Sequence, residues 1–203
     1  MRRLGEGPYT GLFSLASVAG LVWLIWAFAH ARGTAGDLEL WGAEPWRKHV
    51  SAALVLLATL LIVPGLMTPN PTSVKSEAAL DRPDVVRGMI RITRHPFLWG
   101  VAIWAAAHLL TNGDAASLIL FGSMLVLGLV GPPSIDAKRA KAPGARWEPF
   151  KAQTSSVPFA AILSGKQKLS FGEIGWLRIA VALAAYALLG LVHPYAFGAN
   201  PLR

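Results

Sequence analysis

Five apolar runs divide the sequence, and they constrain the fold more than any other feature. A helix of about 20 apolar residues crosses the roughly 30 Å hydrocarbon core of a bilayer, because each residue advances the helix by about 1.5 Å. Only 15% of the 203 residues are charged, whereas soluble domains carry about 25%. The sequence therefore predicts an all-α, polytopic membrane bundle that forms one domain over residues 1–203. The predicted spans are residues 10–30, 49–67, 97–111, 115–130 and 174–192.

Basic residues indicate how these spans are oriented. Of the 19 Lys and Arg residues, fourteen fall on one predicted face and four on the other. Because basic residues are retained on the cytoplasmic side, we expect a cytoplasmic N-terminus and a bacterial inner membrane.

A cleaved signal peptide is the alternative for the first apolar run, but this run is longer than the apolar region of a usual signal peptide and carries Trp23 and Trp26. The basic residues lie between spans, so we predict contact with the lipid bilayer and no nucleic-acid binding.

Two polar connections are expected to lie at the membrane interface. After Pro83, a helix beginning at Asp84 would place Arg87, Arg91 and Arg94 on one face, where they meet lipid head groups. The apolar stretch 157–163 is too short to span the bilayer, and we expect it to dip into the interface. Gly-Pro-Pro at 131–133 is expected to end the fourth span.

Histidine is the residue type most able to bind a metal here, because the chain contains no cysteine. Trp104 precedes His108 by one turn, and an apolar, aromatic wall around a neutral imidazole suits a haem iron or a buried non-haem metal. The alternative is a structural His108, bonded to a backbone carbonyl or to Tyr186. The predicted topology puts four histidines toward the outer side: His30, His49, His108 and His193.

A second candidate set lies on the cytoplasmic side. Arg94, His95 and Asp136, with Lys138 and Arg139, are predicted to converge at the membrane surface, and Arg91 is a further candidate for binding an anion there. Cationic groups beside an acidic group at this level are typical of a site for an anionic head group or a cofactor phosphate. The alternative is that these charges only orient the protein in the membrane.

Several motifs then point to a family. Residues 88–96 read Gly-Met-Ile-Arg-Ile-Thr-Arg-His-Pro, and Trp104, His108 and an Asn-Gly-Asp turn at 112–114 follow. With the stretches at 4–9 and 154–162 and the closing His193-Pro194, this pattern resembles the NnrU family of integral membrane proteins, which includes the zeta-carotene isomerases.

The resemblance implies a haem b enzyme that turns a central cis double bond of a polyene to trans without net redox change. The histidine of the family's Trp-x-x-x-His stretch falls on His108, which is thereby the implied axial ligand, while Ala105 stands where the isomerases have a cysteine. Members usually begin with a further histidine-bearing span that does not appear in this sequence, so either the recorded start is late or this member lacks that helix. His49 or His30 would then be the second ligand, or the iron would be five-coordinate.

Other functions stay open at this point. The family is linked by name to nitrite and nitric oxide metabolism in bacteria, and a non-catalytic membrane subunit supporting denitrification is one alternative. Arg94-His95-Pro96 with Gly100 also resembles membrane methyltransferases that use S-adenosylmethionine. Those enzymes have paired glutamates, where this chain has only Asp136 and Glu148. We expect an apolar polyene or another lipid-like substrate to enter from the bilayer; the sequence leaves the oligomeric state open.

Overall fold

The computed structural model describes residues 5–74, 76–141 and 146–201. Helix accounts for 71% of the structure, which confirms the predicted all-α class. A short 3-10 helix covers Glu77–Asp81. The described residues form nine α-helices: α1 Glu6–Ala31, α2 Pro45–Leu66, α3 Met89–Ile92, α4 Pro96–Thr111, α5 Ala115–Ala140, α6 Trp147–Gln153, α7 Ala160–Leu163, α8 Phe171–Ile174 and α9 Trp176–Phe197.

Four of these helices are long and apolar enough to cross a membrane, and α4 is a shorter apolar helix. The four are α1, α2, α5 and α9. α4 has 16 residues, so it is about 24 Å long at the usual helical rise. This arrangement confirms a helical membrane bundle.

α4 lies at the centre of the bundle, between α2 and α5. A Cβ added at Gly100 of α4 would lie 2.4 Å from Ile62 and 2.9 Å from the carbonyl oxygen of Ala58. Glycine removes this clash and lets the α2 and α4 backbones approach closely, which is how small residues hold membrane helices together without a hydrophobic driving force.

The two remaining long helices lie at the edges of the bundle. α9 packs on α2 and buries Ala182 completely. α1 contacts α5, where the Phe28 and Phe121 ring centroids are 6.0 Å apart. The apolar window of α1 has no buried residue, so its surface is suited to lipid.

The prediction that the fourth span ends before Gly-Pro-Pro was wrong, because α5 continues through Pro132 and Pro133 to Ala140. Each proline removes only its own N–H bond to the preceding turn, and neighbouring helices in a membrane protein can compensate for that loss. Pro132 is fully buried, and Asp136 beyond it bonds to Arg94 and His95. Packing and this ion pair hold the extension in helical form.

The predicted amphipathic helix from Asp84 was also wrong, because α3 begins only at Met89. Gly88 precedes it with a φ of 54°, a left-handed conformation that glycine adopts readily. Its N–H donates to the Glu173 carboxylate 3.0 Å away. The chain becomes extended again at Thr93. Bonds to Glu173 and Asp136 on other segments therefore decide the conformation here, and the arginines do not share one helix face as their spacing had indicated.

Close contact between α4 and α5 gives a prediction for two glycines of one helix. A Cβ at Gly128 would lie 2.8 Å from the Ala102 backbone nitrogen and 2.8 Å from the Leu98 carbonyl oxygen, whereas one at Gly122 meets nothing within 4 Å. We expect Gly128→Ala to lower the free energy of unfolding by about 1–3 kcal/mol, because overpacking forces the helices apart.

Gly122→Ala is the matched control and should leave stability unchanged or slightly raised, since alanine is the better helix former. Thermal unfolding in detergent micelles, followed by circular dichroism, measures both variants. Equal melting temperatures would contradict the close packing of α4 and α5.

Candidate functional site

A histidine lies at each end of α4. His95 is the N-cap residue and His108 lies in the last turn. They are thirteen positions apart in the sequence, which corresponds to about 20 Å along a helix. The two sites are therefore separate.

The His95 site is an ion-pair network centred on Asp136. Arg94 Nε lies 3.1 Å from both carboxylate oxygens of Asp136, and Arg94 Nη2 donates to Oδ2 at 2.5 Å. His95 Nε2 lies 2.8 Å from Oδ1. Because a carboxylate only accepts hydrogen bonds, this geometry assigns the proton of a neutral His95 to Nε2.

This network is shielded from solvent. The side chains of Arg94, His95 and Asp136 are 7%, 1% and 14% exposed. His95 Nδ1 is buried without a hydrogen-bond partner among the described residues. A buried acceptor left unpaired costs free energy. The bond from His95 Nε2 to Asp136, on the other side of the ring, offsets part of that cost.

Backbone bonds from neighbouring segments fix Arg94 itself. Its carbonyl oxygen accepts from Asn70 Nδ2 at 3.0 Å and from Thr72 Oγ1 at 2.8 Å. Its N–H donates to the Ser155 carbonyl at 2.9 Å, and its Nη1 donates to the Thr154 carbonyl at 3.2 Å. The start of α4 is thus tied to the segment after α2, to α5 and to the segment after α6.

The structure brings together three of the residues predicted to converge here, while Arg139 bonds to Glu77 and to the Ser73 carbonyl. Arg94, His95 and Asp136 meet, whereas Arg91 bonds elsewhere: its Nε donates to Glu173 at 2.7 Å. The Arg91 guanidinium, with the Gly88 N–H, holds the pKa of the Glu173 carboxyl below its ordinary value. Head-group binding by this set stays a prediction, and Asp136 would have to move before an anion reached Arg94 or His95.

The His108 site is a cluster of aromatic rings. The His108 ring centroid lies 4.5 Å from that of Trp104 and 4.7 Å from that of Phe121 on α5. Trp104 and Phe121 are themselves 5.3 Å apart in an edge-to-face arrangement. An apolar wall of this kind keeps the imidazole away from bulk water.

A backbone bond sets the tautomer of His108. Its Nδ1 lies 2.8 Å from the Trp104 carbonyl oxygen, so Nδ1 carries the proton and Nε2 keeps a lone pair. The predicted bond to a backbone carbonyl is therefore confirmed, and the bond to Tyr186 was wrong, since the Tyr186 hydroxyl donates to the Ala52 carbonyl instead. Metal-binding histidines commonly donate their other ring nitrogen in this way, so this bond fits both a structural and a ligand role.

The remaining histidines make the same kind of bond. His30 Nδ1 bonds to the Trp26 carbonyl and His49 Nδ1 to the Pro45 carbonyl, and both residues are exposed. His193 Nδ1 on α9 lies 2.7 Å from the Ala199 carbonyl oxygen. Whether His30 or His49 is a second axial ligand stays a prediction.

Haem and a bare metal ion need different donor sets from the protein, and haem binding stays a prediction here. A structural or catalytic zinc takes three or four protein ligands, and the described residues contain no cluster of three or more His, Asp or Glu side chains that could hold a metal ion. Haem needs only one or two axial ligands from the protein. His108, with Nε2 free to accept and an aromatic surround, meets that requirement.

A short segment around Leu40 and Trp41 covers the turn that joins α4 to α5. Trp41 Nε1 donates to the Leu109 carbonyl at 3.0 Å, and the Leu40 N–H donates to the Gly113 carbonyl at 2.9 Å. Asp114 caps α5 by accepting from the Ser117 N–H. The predicted turn at 112–114 is confirmed, and this cover holds the last turn of α4 beside α5.

Sequence reasoning missed two residues that matter to these sites. Phe121 contacts the His108 ring, but no spacing within α5 indicates which face meets α4. Glu173 binds Arg91; the only signal was that it is the first acidic residue after a long basic and apolar stretch, 149–172.

Together these features define a polytopic helical membrane protein with a buried ion-pair network at one end of a central helix and an aromatic histidine site at the other. Comparison with known families makes the assignment more specific. The chain belongs to the NnrU protein family, whose model matches residues 1–201. The family indicated by the sequence motifs is thereby confirmed.

Two curated relatives are plant enzymes. Over 142 residues the chain is 32% identical to the chloroplastic 15-cis-zeta-carotene isomerase of Arabidopsis thaliana, a match that covers 65% of this chain and 38% of that protein. The Zea mays enzyme of the same name is 35% identical over 104 residues, 50% of this chain and 28% of its own length. The chain therefore matches well under half the length of either relative. No solved structure gives a significant match.

The methyltransferase alternative gains no support from the motif it depends on. Arg94 and His95 are buried and bonded to Asp136. A surface cleft beside α6 is lined instead by Leu80, Val85 and Phe150. Binding of S-adenosylmethionine stays a prediction.

The ion-pair network gives a prediction for Asp136→Asn. We expect a loss of about 3 kcal/mol in the free energy of unfolding, because the change leaves Arg94 as a buried charge without a counter-charge. Unfolding followed by circular dichroism in micelles measures the loss. A double variant, Arg94→Met with Asp136→Asn, should recover part of it, since no buried charge is then unpaired.

Glu148→Gln is the control, because Glu148 and Lys151 are both exposed and 4.0 Å apart. Such surface pairs contribute about 0–1 kcal/mol. If Asp136→Asn and Glu148→Gln had the same effect, the network at the start of α4 would not stabilise the protein.

Proposed function

We propose that this protein is a haem-dependent membrane isomerase that converts a central cis double bond of a polyene to trans at a site centred on His108. Similarity to the plant 15-cis-zeta-carotene isomerases supports the substrate class. The observation that carries the proposal is the tautomer of His108. Its Nδ1 bonds to the Trp104 carbonyl, so Nε2 presents a lone pair in an aromatic surround.

Aromatic rings give this site its affinity for a polyene. Trp104 and Phe121 pack on His108 and on each other, and flat, polarisable rings pack well against a flat, conjugated chain. The Phe28 ring extends this wall to α1. The same rings exclude water from the reacting part of the substrate.

An apolar substrate would reach the site from within the bilayer. α1 is exposed along its apolar length and meets α5 through a small contact that includes Phe28. A polyene dissolved in the bilayer would approach between α1 and the α4–α5 hairpin without crossing water. This lateral route matches the apolar lining that small-molecule sites usually have.

His108 would hold the haem iron, and His49 and His30 are the candidates for a second ligand. When bound, haem would supply the iron chemistry of the conversion, and the protein would supply its binding and orientation. The conversion has no net redox change and transfers no proton, so the site needs no general acid. Ala105 contributes no thiolate, so ligand exchange through sulfur is not part of the proposal.

A His108→Ala variant tests the proposal. The wild-type protein, expressed with added haem and purified, should show a Soret band and should isomerise 15-cis-zeta-carotene in detergent, measured by chromatography. His108→Ala should lose or shift the band and lose at least 90% of the activity. Leu110→Ala is the matched control, since Leu110 is a half-buried residue of the same helix, and it should retain both.

The outcomes separate the alternatives. A Soret band that depends on His108 without isomerisation would favour a haem protein of nitrite or nitric oxide metabolism. Wild-type protein with neither signal would contradict the proposal and favour a non-catalytic membrane subunit. A band that His108→Ala leaves unchanged would place the haem elsewhere.

A further inference from the structure

We propose that residues 157–171, here called the anchor loop, bind anionic phospholipid at the membrane surface. Its apolar side chains would enter the acyl region, and Lys166 and Lys168 would contact head-group phosphates. This inference concerns a surface remote from His108 and does not depend on the proposed activity.

The anchor loop displays large apolar side chains to its surroundings. Leu163 is the most exposed, at 86%. Soluble surfaces seldom group such residues without a partner. The others are Val157 at 55%, Phe159 at 41%, Leu169 at 41% and Phe171 at 57%.

This display is not the result of a loosely packed chain. The Ser156 carbonyl at its start accepts from Thr93 Oγ1 and from Trp99 Nε1, both at 2.7 Å. The Phe159 N–H donates to the Ile92 carbonyl at 2.8 Å. On the inner side of α7, Ala161 is 2% exposed. The backbone is therefore fixed to α3 and α4, and one side of α7 is buried while the other faces outward.

Phe159 adds an aromatic side chain to this surface, on an unusual backbone. It is the non-glycine residue with positive φ in the described chain, at 63°, and a bulky side chain in the left-handed region is an outlier. In a water-facing turn, glycine or asparagine adopts this conformation without strain. An aromatic ring here, with its side chain partly exposed, is instead typical of the membrane interface, where aromatic residues concentrate.

Charge identifies the partner as anionic. From 149 to 172 the sequence has Lys151, Lys166 and Lys168 and no acidic residue. Glu173, which follows, is bonded to Arg91. Lys166 and Lys168 are exposed, and Gln167 between them is held by Arg91 at 2.5 Å. Two lysines beside apolar side chains make a surface that an anionic leaflet attracts.

The level of the anchor loop in the fold favours lipid over a soluble protein. α8 and then α9 follow it directly, and α9 begins at Trp176, which is 71% exposed. Because α9 is long and apolar enough to span, the loop lies where a helix enters the bilayer. Apolar side chains at this depth meet acyl chains, and lysines meet phosphates.

The absence of cysteine from the chain makes a site-specific depth measurement simple. A spin label on Leu163→Cys, in vesicles of phosphatidylcholine with one quarter phosphatidylglycerol, should be more accessible to oxygen than to a water-soluble nickel chelate. Ala78→Cys is the control, since Ala78 is exposed on the 3-10 helix, and its label should show the reverse. A Leu163→Cys label that the nickel chelate reaches readily would overturn the proposal. A label that neither reagent reaches would mean that protein covers this surface, and would overturn it too.

Lipid selectivity tests the charge. Spin-labelled phosphatidylglycerol should associate with the protein at least twofold more than spin-labelled phosphatidylcholine. Lys166→Gln with Lys168→Gln should remove at least half of this preference, while Arg47→Gln with Lys48→Gln, at the start of α2 on the opposite predicted face, should leave it unchanged. Equal loss in both double variants, or in neither, would overturn a specific role for the anchor loop.

Discussion

The structure depends on one carboxylate. Asp136 accepts from the Arg94 guanidinium and from the His95 ring, and these bonds join the far end of α5 to the first residues of α4. To reach them, α5 must continue past Pro132 and Pro133. With Asp136 in place, Arg94 also bonds to the segment after α2 and to the segment after α6. Because buried charges are tolerated only when paired, this single pairing fixes where α4 begins.

From that fixed start, α4 positions His108 at its other end. Close contacts at Gly100 and Gly128 hold the helix between its neighbours, so its rotation is set by packing with α2 and α5. That rotation presents His108 to Phe121. The ion-pair network thus acts on the candidate site through a rigid helix and not through direct contact. The same start also supports the anchor loop, whose backbone bonds to Ile92 and Trp99.

Hydropathy alone was enough to predict the helical membrane class, because a membrane span must form its backbone hydrogen bonds within itself and contains few charged residues. Motifs were enough to predict the family and the meeting of Arg94, His95 and Asp136. Local patterns failed where tertiary contacts decide the outcome. The helix expected from Asp84 gives way to a bond between Gly88 and Glu173, and Gly-Pro-Pro does not end α5 because Pro132 is packed. The contact of Phe121 with His108 joins α4 to α5, and the sequence of neither helix alone indicates it.

The central claim is that the two histidines of α4 are held in opposite tautomers, His95 by a carboxylate and His108 by a backbone carbonyl. Nitrogen-15 NMR of histidine-labelled protein before haem is added measures this directly, with His95→Gln and His108→Gln variants to assign the signals. The account predicts that, in the neutral form of each ring, His95 carries its proton on Nε2 and His108 on Nδ1. The same tautomer at both positions, or a His108 protonated on Nε2, would contradict it, because Nε2 would then have no lone pair for a ligand.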